Sequence, residues 1–171
     1  MLAPSLYQFF RRHVHQAFGN EGLDEPATID YVSDVLTRFA HTPALYAVRD
    51  TDGVPLEHIA QMLVEWQRAG EAPGERSRQA LIMRHLGEYS LFMSGLFRER
   101  LQARGQLNYY LDHGRSAYWQ TADFETNPKR STVFRKLYFN LDRVCRTLDT
   151  LRRVQLPMVG GAAEPNAPVV A

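Results

Sequence analysis

His85 and Glu88 stand three residues apart in RHLGEYSLFMSGLFRER, residues 84–100, a run that is otherwise the apolar spine of the chain. On a helix that spacing stacks an imidazole and a carboxylate one turn apart on one face. A neutral imidazole with a carboxylate is half of a transition-metal site suited to iron, zinc or manganese. The other half must come from elsewhere, and Glu57, His58, Glu65, Asp112 and His113 are residues of the right type. A di-iron carboxylate bundle needs Glu-x-x-His twice plus further glutamates. Here no Glu-x-x-His occurs, and His85-x-x-Glu88 has the reverse order and occurs once. A haem with His85 as axial ligand among Tyr89, Phe92 and Met93 is another form of the same reading. The competing reading is preferred, because buried polar groups are normally satisfied within the protein. It makes His85 and Glu88 a hydrogen-bonded pair, joined by Arg115 or a tyrosine, that fixes helix register without a cofactor.

The second block with chemical content is LNYYLDHGRSAYWQ, residues 107–120. Its aromatics, with Arg115 among them, could line a pocket together with the long apolar run; Tyr89, Phe92, Tyr110, Arg115 and Tyr118 are the candidate ligand-binding residues. Glycine inside a helix costs about 1 kcal/mol relative to alanine, so Gly87, Gly95 and Gly114 point to close helix crossings, with Gly114 expected against Gly95. Other chemistries fail their context. Gly114-Arg115-Ser116 lacks the second glycine and the strand-to-helix turn of a nucleophile elbow. Cys145 falls beside an apolar helical seam, where a packed thiol is expected. The chain has no phosphate-binding glycine loop, and His13 and His15 point to different sides of a helix.

These residues need helices to position them, and helical punctuation runs along the chain. Ser5 and Gln8 form a capping-box pattern opening a helix over 5–18, with Gly19 as its stop. Asp24-Glu25-Pro26 opens a second to about Ala40. Residues 41–54 read as a connection with a turn at Asp52-Gly53 and room for a short extended piece at LYAV, residues 45–48. A third helix is expected from Pro55 to Ala69, closed by Gly70. One long central helix follows over about 77–104, roughly 40 Å at 1.5 Å per residue. A fifth covers 107–124. Asn127-Pro128 then caps a last helix in which Phe134, Leu137, Leu141, Val144, Leu148 and Leu151 make a regular a/d seam. The expectation is an all-α single-domain bundle of about six helices over 1–156, with a flexible tail over 157–171.

A chain of 171 residues is most simply one domain and buries roughly 70% of its unfolded surface on folding. Its 44% hydrophobic and 23% charged content and net charge of +1 create no global field that favours nucleic acid or a membrane. The last helix is locally basic: residues 129, 130, 135, 136, 143, 146, 152 and 153 face only Asp142 and Asp149. A solvated face is the ordinary account, and nucleic-acid binding through it is the sharper and less favoured one. The single cysteine, and a start without the pattern of a secretory signal, lead us to expect a cytoplasmic protein. The blocks HLGEYSLFMSGLF and YYLDHGRSAYW resemble segments of helical bacterial proteins, and that resemblance implies no activity and no residue roles. The function expected is non-enzymatic: a helical binding or regulatory protein whose partner is another protein or a second copy of itself.

Overall fold

In the computed structural model, which describes residues 5–41 and 48–155, the chain builds seven helices and no strand among those residues. They are α1 Leu6–Asn20, α2 Pro26–Phe39, α3 Ile59–Glu71, α4 Arg76–Leu96, α5 Arg98–Ala103, α6 Leu107–Phe124 and α7 Pro128–Gln155. The all-α bundle is therefore as expected. The tail over 157–171 and most of the LYAV piece lie outside the described residues.

Local chemistry sets most boundaries. The Ser5 hydroxyl accepts from the Gln8 amide at 3.2 Å while the Gln8 side chain accepts from the Ser5 amide at 3.0 Å, the reciprocal capping box. The stop of α1 is not Gly19, which lies inside the helix. It is Gly22, at φ +69°, with the Leu23 amide donating to the Phe18 carbonyl and the Gly22 amide to the Gly19 carbonyl. That pairing needs a left-handed residue after the last turn, and glycine adopts it without strain. Asn127 caps α7 as expected, its side-chain oxygen accepting from the amides of Lys129 and Arg130.

Further boundaries differ from the sequence reading, and Gly70, expected to close the third helix, lies inside it because the helix runs on to Glu71. The third helix starts at Ile59 rather than Pro55, because Pro55 bridges back to Arg49 across the Asp52-Gly53 turn. The Gln61 side chain then accepts from the amides of Glu57 and His58, which caps the helix at that later point. The long central helix is broken at Phe97 (φ −121°, ψ 30°), giving α4 and the short α5. Beyond the break the buried Arg98 guanidinium donates to Asp142 on α7 at 2.9 Å, a tertiary bond that no helical periodicity encodes.

α4 is the axis of the core. Every residue from His85 to Gly95 is buried, although Leu81 at its start is 56% exposed. A helix buried on all sides must let neighbours come close, and small residues do this. A Cβ on Gly114 would sit 2.7 Å from Ser90 Cβ and 2.9 Å from Leu141 Cδ2. Gly114 thus packs against Ser90 and Leu141, not against Gly95 as expected. Gly95 instead admits Leu148, and Gly87 admits the Tyr118 ring. The a/d seam of α7, from Phe134 to Leu151, is wholly buried in this core.

Candidate functional site

Glu88 is 3% exposed and accepts four hydrogen bonds. Arg38 of α2 binds it with both ends of its guanidinium, Nη1 to Oε2 and Nη2 to Oε1, each at 2.9 Å. Arg84, one turn earlier on α4, donates from Nε to Oε1 at 3.0 Å, and the Tyr31 hydroxyl donates to the same oxygen at 3.0 Å. Tyr31 also lies 3.3 Å, oxygen to oxygen, from the hydroxyl of Tyr118 on α6. The sequence positions these groups simply. Tyr31 and Arg38 are two turns apart on one face of α2, and Arg84 and Glu88 one turn apart on α4.

Electrostatics make the cluster quiet. Burial pushes the Glu88 carboxyl up, but the Arg38 bonds and then Arg84 outweigh it and hold the group below the usual carboxylate range. Burial, with the Glu88 charge behind it, pushes the Tyr31 and Tyr118 hydroxyls well above the ordinary tyrosine range. Arg38 has a second acid, Asp34, at 2.8 Å, so two arginines meet two carboxylates. Glu88 is thus shifted down and Tyr31, Tyr118, Arg38 and Arg84 up, each away from neutral pH. The arrangement locks α2, α4 and α6 together.

The sequence-selected residues fall into two groups, His85, Tyr89, Phe92 and Tyr110 in one aromatic cluster around Phe39, and Glu88 with Tyr118 about Tyr31; Arg115 stands apart. His85 is buried against Phe39 and Tyr89, with ring centroids 5.8 and 6.4 Å away. Tyr89 donates to the Glu57 carbonyl at 3.1 Å, and Phe92 meets Phe39 edge to face. Tyr110 is buried beside Tyr89, and Tyr118 joins Tyr31. Arg115 is instead half-exposed on α6, 3.7 Å from Asp112. Of the residues that could complete a metal site with His85 and Glu88, Glu65 is buried between Arg68 and Arg78, and Asp112 faces solvent. Among the described residues no three His, Cys, Asp or Glu side chains converge. A cation at Glu88 would also meet two guanidinium groups already on its oxygens.

Sequence reasoning missed Arg38, Arg84 and Tyr31. The Arg84-Glu88 spacing was a usable signal; the two α2 residues carry none without the fold. A general pattern was missed too: three buried carboxylates, Glu65, Glu88 and Asp149, are each clamped by two arginines. Eighteen of the twenty basic residues are arginine, the side chain whose planar fork suits such pairing.

The surface offers two further features. A groove of about 710 Å³ runs between α1 and α7, past His13, Arg143, Arg146 and Leu151. Its arginines are engaged, Arg143 with the Glu21 carbonyl and Arg146 with Asp142 at 2.8 Å. Five of the six other basic residues of α7 are similarly committed: Arg130 pairs with Glu125, Arg135 with Asp123, Lys136 with Glu25, and Arg152 and Arg153 with Asp149. On the outer side of α6 and α7, aromatic rings follow one another. Trp119 and Tyr138 have centroids 4.8 Å apart, Tyr138 and Phe139 4.9 Å, and the Arg135 guanidinium lies 4.8 Å over the Trp119 ring. Phe139 is 73% exposed and Trp119 40%.

Comparison with protein-family models, with curated proteins and with solved structures gives no match for this chain. Among the described residues no helix is long and apolar enough to cross a membrane. The functional reading therefore stands on the molecule's own geometry.

Proposed function

We propose that this is a non-enzymatic helical binding protein of the cytoplasm that acts through protein–protein contact, first of all by self-association. The observation that carries the reading is the aromatic strip on α6 and α7 in which the exposed Trp119 and Phe139 flank the half-buried Tyr138. Exposed single apolar residues are ordinary, whereas contiguous aromatic patches mark interaction surfaces. Trp, Tyr and Arg are also the residues enriched where interfaces concentrate their energy. The buried polar cluster supports the same view, since its members are occupied with one another and hold the helices in place. The seam of α7, which from sequence could serve a core or a dimer equally, is used by the core.

The test is the mass of the chain in solution by sedimentation velocity over a wide concentration range. Mass rising with concentration is expected, and Phe139→Ser should weaken the association tenfold or more without loss of helicity. A single mass of 19.6 kDa at every concentration would remove the self-association reading.

A further inference from the structure

Resting on the self-association reading, we infer that the occupant of the α6/α7 face is a second copy of this chain, seated about a two-fold axis at Trp119 with the two α6 helices antiparallel. The charge order along one stripe of α6 carries this inference. Asp112, Arg115, Trp119 and Asp123 recur at intervals of three, four and four, which keeps them on one side of the helix. All four are open to solvent, with side chains of Asp112, Arg115 and Asp123 73%, 42% and 58% exposed and Trp119 40% exposed.

Relative to Trp119, the residue four positions before is a cation and the residue four positions after is an anion. Four residues are about 6 Å along a helix. An isologous contact brings residue i of one copy to residue j of the other, and j to i. A two-fold at Trp119 with antiparallel helices therefore places Arg115 of each copy beside Asp123 of the other. A parallel arrangement would set Arg115 against Arg115 and Asp123 against Asp123, which like-charge repulsion disfavours.

The charged groups have capacity for this. Arg115 holds Asp112 at only 3.7 Å, so its donors can take a further acceptor. Asp123 accepts from Arg135 of its own chain through Oδ1 at 3.0 Å. Arg115 of the other copy would give Asp123 the two-arginine clamp that Glu65, Glu88 and Asp149 already have inside the chain. Phe139 and Tyr138 flank the axis and supply the apolar area.

The experiment uses the full chain and two charge reversals, Asp123→Arg and Arg115→Asp. Each variant alone presents like charges at both contacts, and its dimer should weaken at least tenfold. Mixed in equal amounts, the two variants match opposite charges at both contacts, so the mixture should regain twice the 19.6 kDa of one chain. Recovery on mixing also shows that each variant is folded, and circular dichroism of each variant alone checks this independently. A wild-type chain that stays monomeric would overturn the self-association reading and this inference with it. A wild-type dimer whose mass survives both reversals, or folded variants that dissociate and fail to recombine, would overturn the two-fold arrangement while leaving self-association standing.

Discussion

Glu88 decides what the most suggestive part of the sequence does. Its carboxylate is buried and ionised because two guanidinium groups and a phenol compensate the loss of water. Removing one partner of such a cluster leaves charge uncompensated, at a cost of about 3–5 kcal/mol for a fully buried pair. Arg38 and Arg84 are 38% and 36% exposed, so Glu88→Gln should lose about 2–3 kcal/mol, below the range for a fully buried pair because solvent screens the two guanidinium groups, in urea or thermal unfolding. The pH dependence has a definite sign. Glu88 titrates below its ordinary value of 4.5 in the folded chain, so its stabilisation is complete above that value and fades as pH falls through the folded one. Stability of the wild-type chain should therefore fall more steeply than that of Glu88→Gln as pH drops below the ordinary carboxylate value of 4.5. Equal acid limbs for the two chains would show that the arginine clamp does not stabilise the fold. The His85-x-x-Glu88 spacing was legible from the start, but its partners were not: Arg38 lies fifty positions from Glu88, and only the packing of α2 on α4 brings them together.

At the level of elements, three glycines separate helix propensity from packing. Gly19 is helical, and a methyl group added to it would meet no atom within 4 Å, so Gly19→Ala should stabilise by about 0.5–1 kcal/mol. Gly22, at φ +69°, ends α1 in a conformation alanine resists, and Gly22→Ala should cost about 1 kcal/mol. Gly114→Ala drives a methyl to 2.7 Å from Ser90 Cβ, an overpacking worth about 1–3 kcal/mol. Thermal melts of the three variants should thus shift up, down and down. The sequence marked Gly19 as a terminator because it follows an apolar periodic run, yet the helix continues one residue past it. The deciding feature is the pair of bonds from Gly22 and Leu23 back to the last turn, which depends on where the chain must go next.

At the scale of the whole molecule, the burial of α4 from His85 to Gly95 sets the order of stability. Amides there should exchange with solvent only by global opening, whereas those of α1, at the edge of the bundle, should exchange by smaller openings. Hydrogen exchange followed by mass spectrometry checks this directly, and faster exchange in residues 85–95 than in α1 would contradict the architecture. The same burial leaves the outer face of α6 and α7 as the place where aromatic area meets water. Association through that face should protect residues 112–123 and 135–139 as protein concentration rises.

Local rules, acting over a few residues, were enough to place the caps at Ser5 and Asn127, the apolar seam of α7 and the all-α class. These features depend on spacing and on side chains bonding their own backbone, so they are written in the order of residues. The break at Phe97, the later start of α3 and the placement of Arg38 on Glu88 were decided by tertiary structure alone. Each depends on a partner distant in sequence or on a turn outside the helix, and periodicity carries no information about either. The exposure of Phe139 was likewise decided by the fold: the stripe that faces the core is chosen by where neighbouring helices lie, and Phe139 falls outside it.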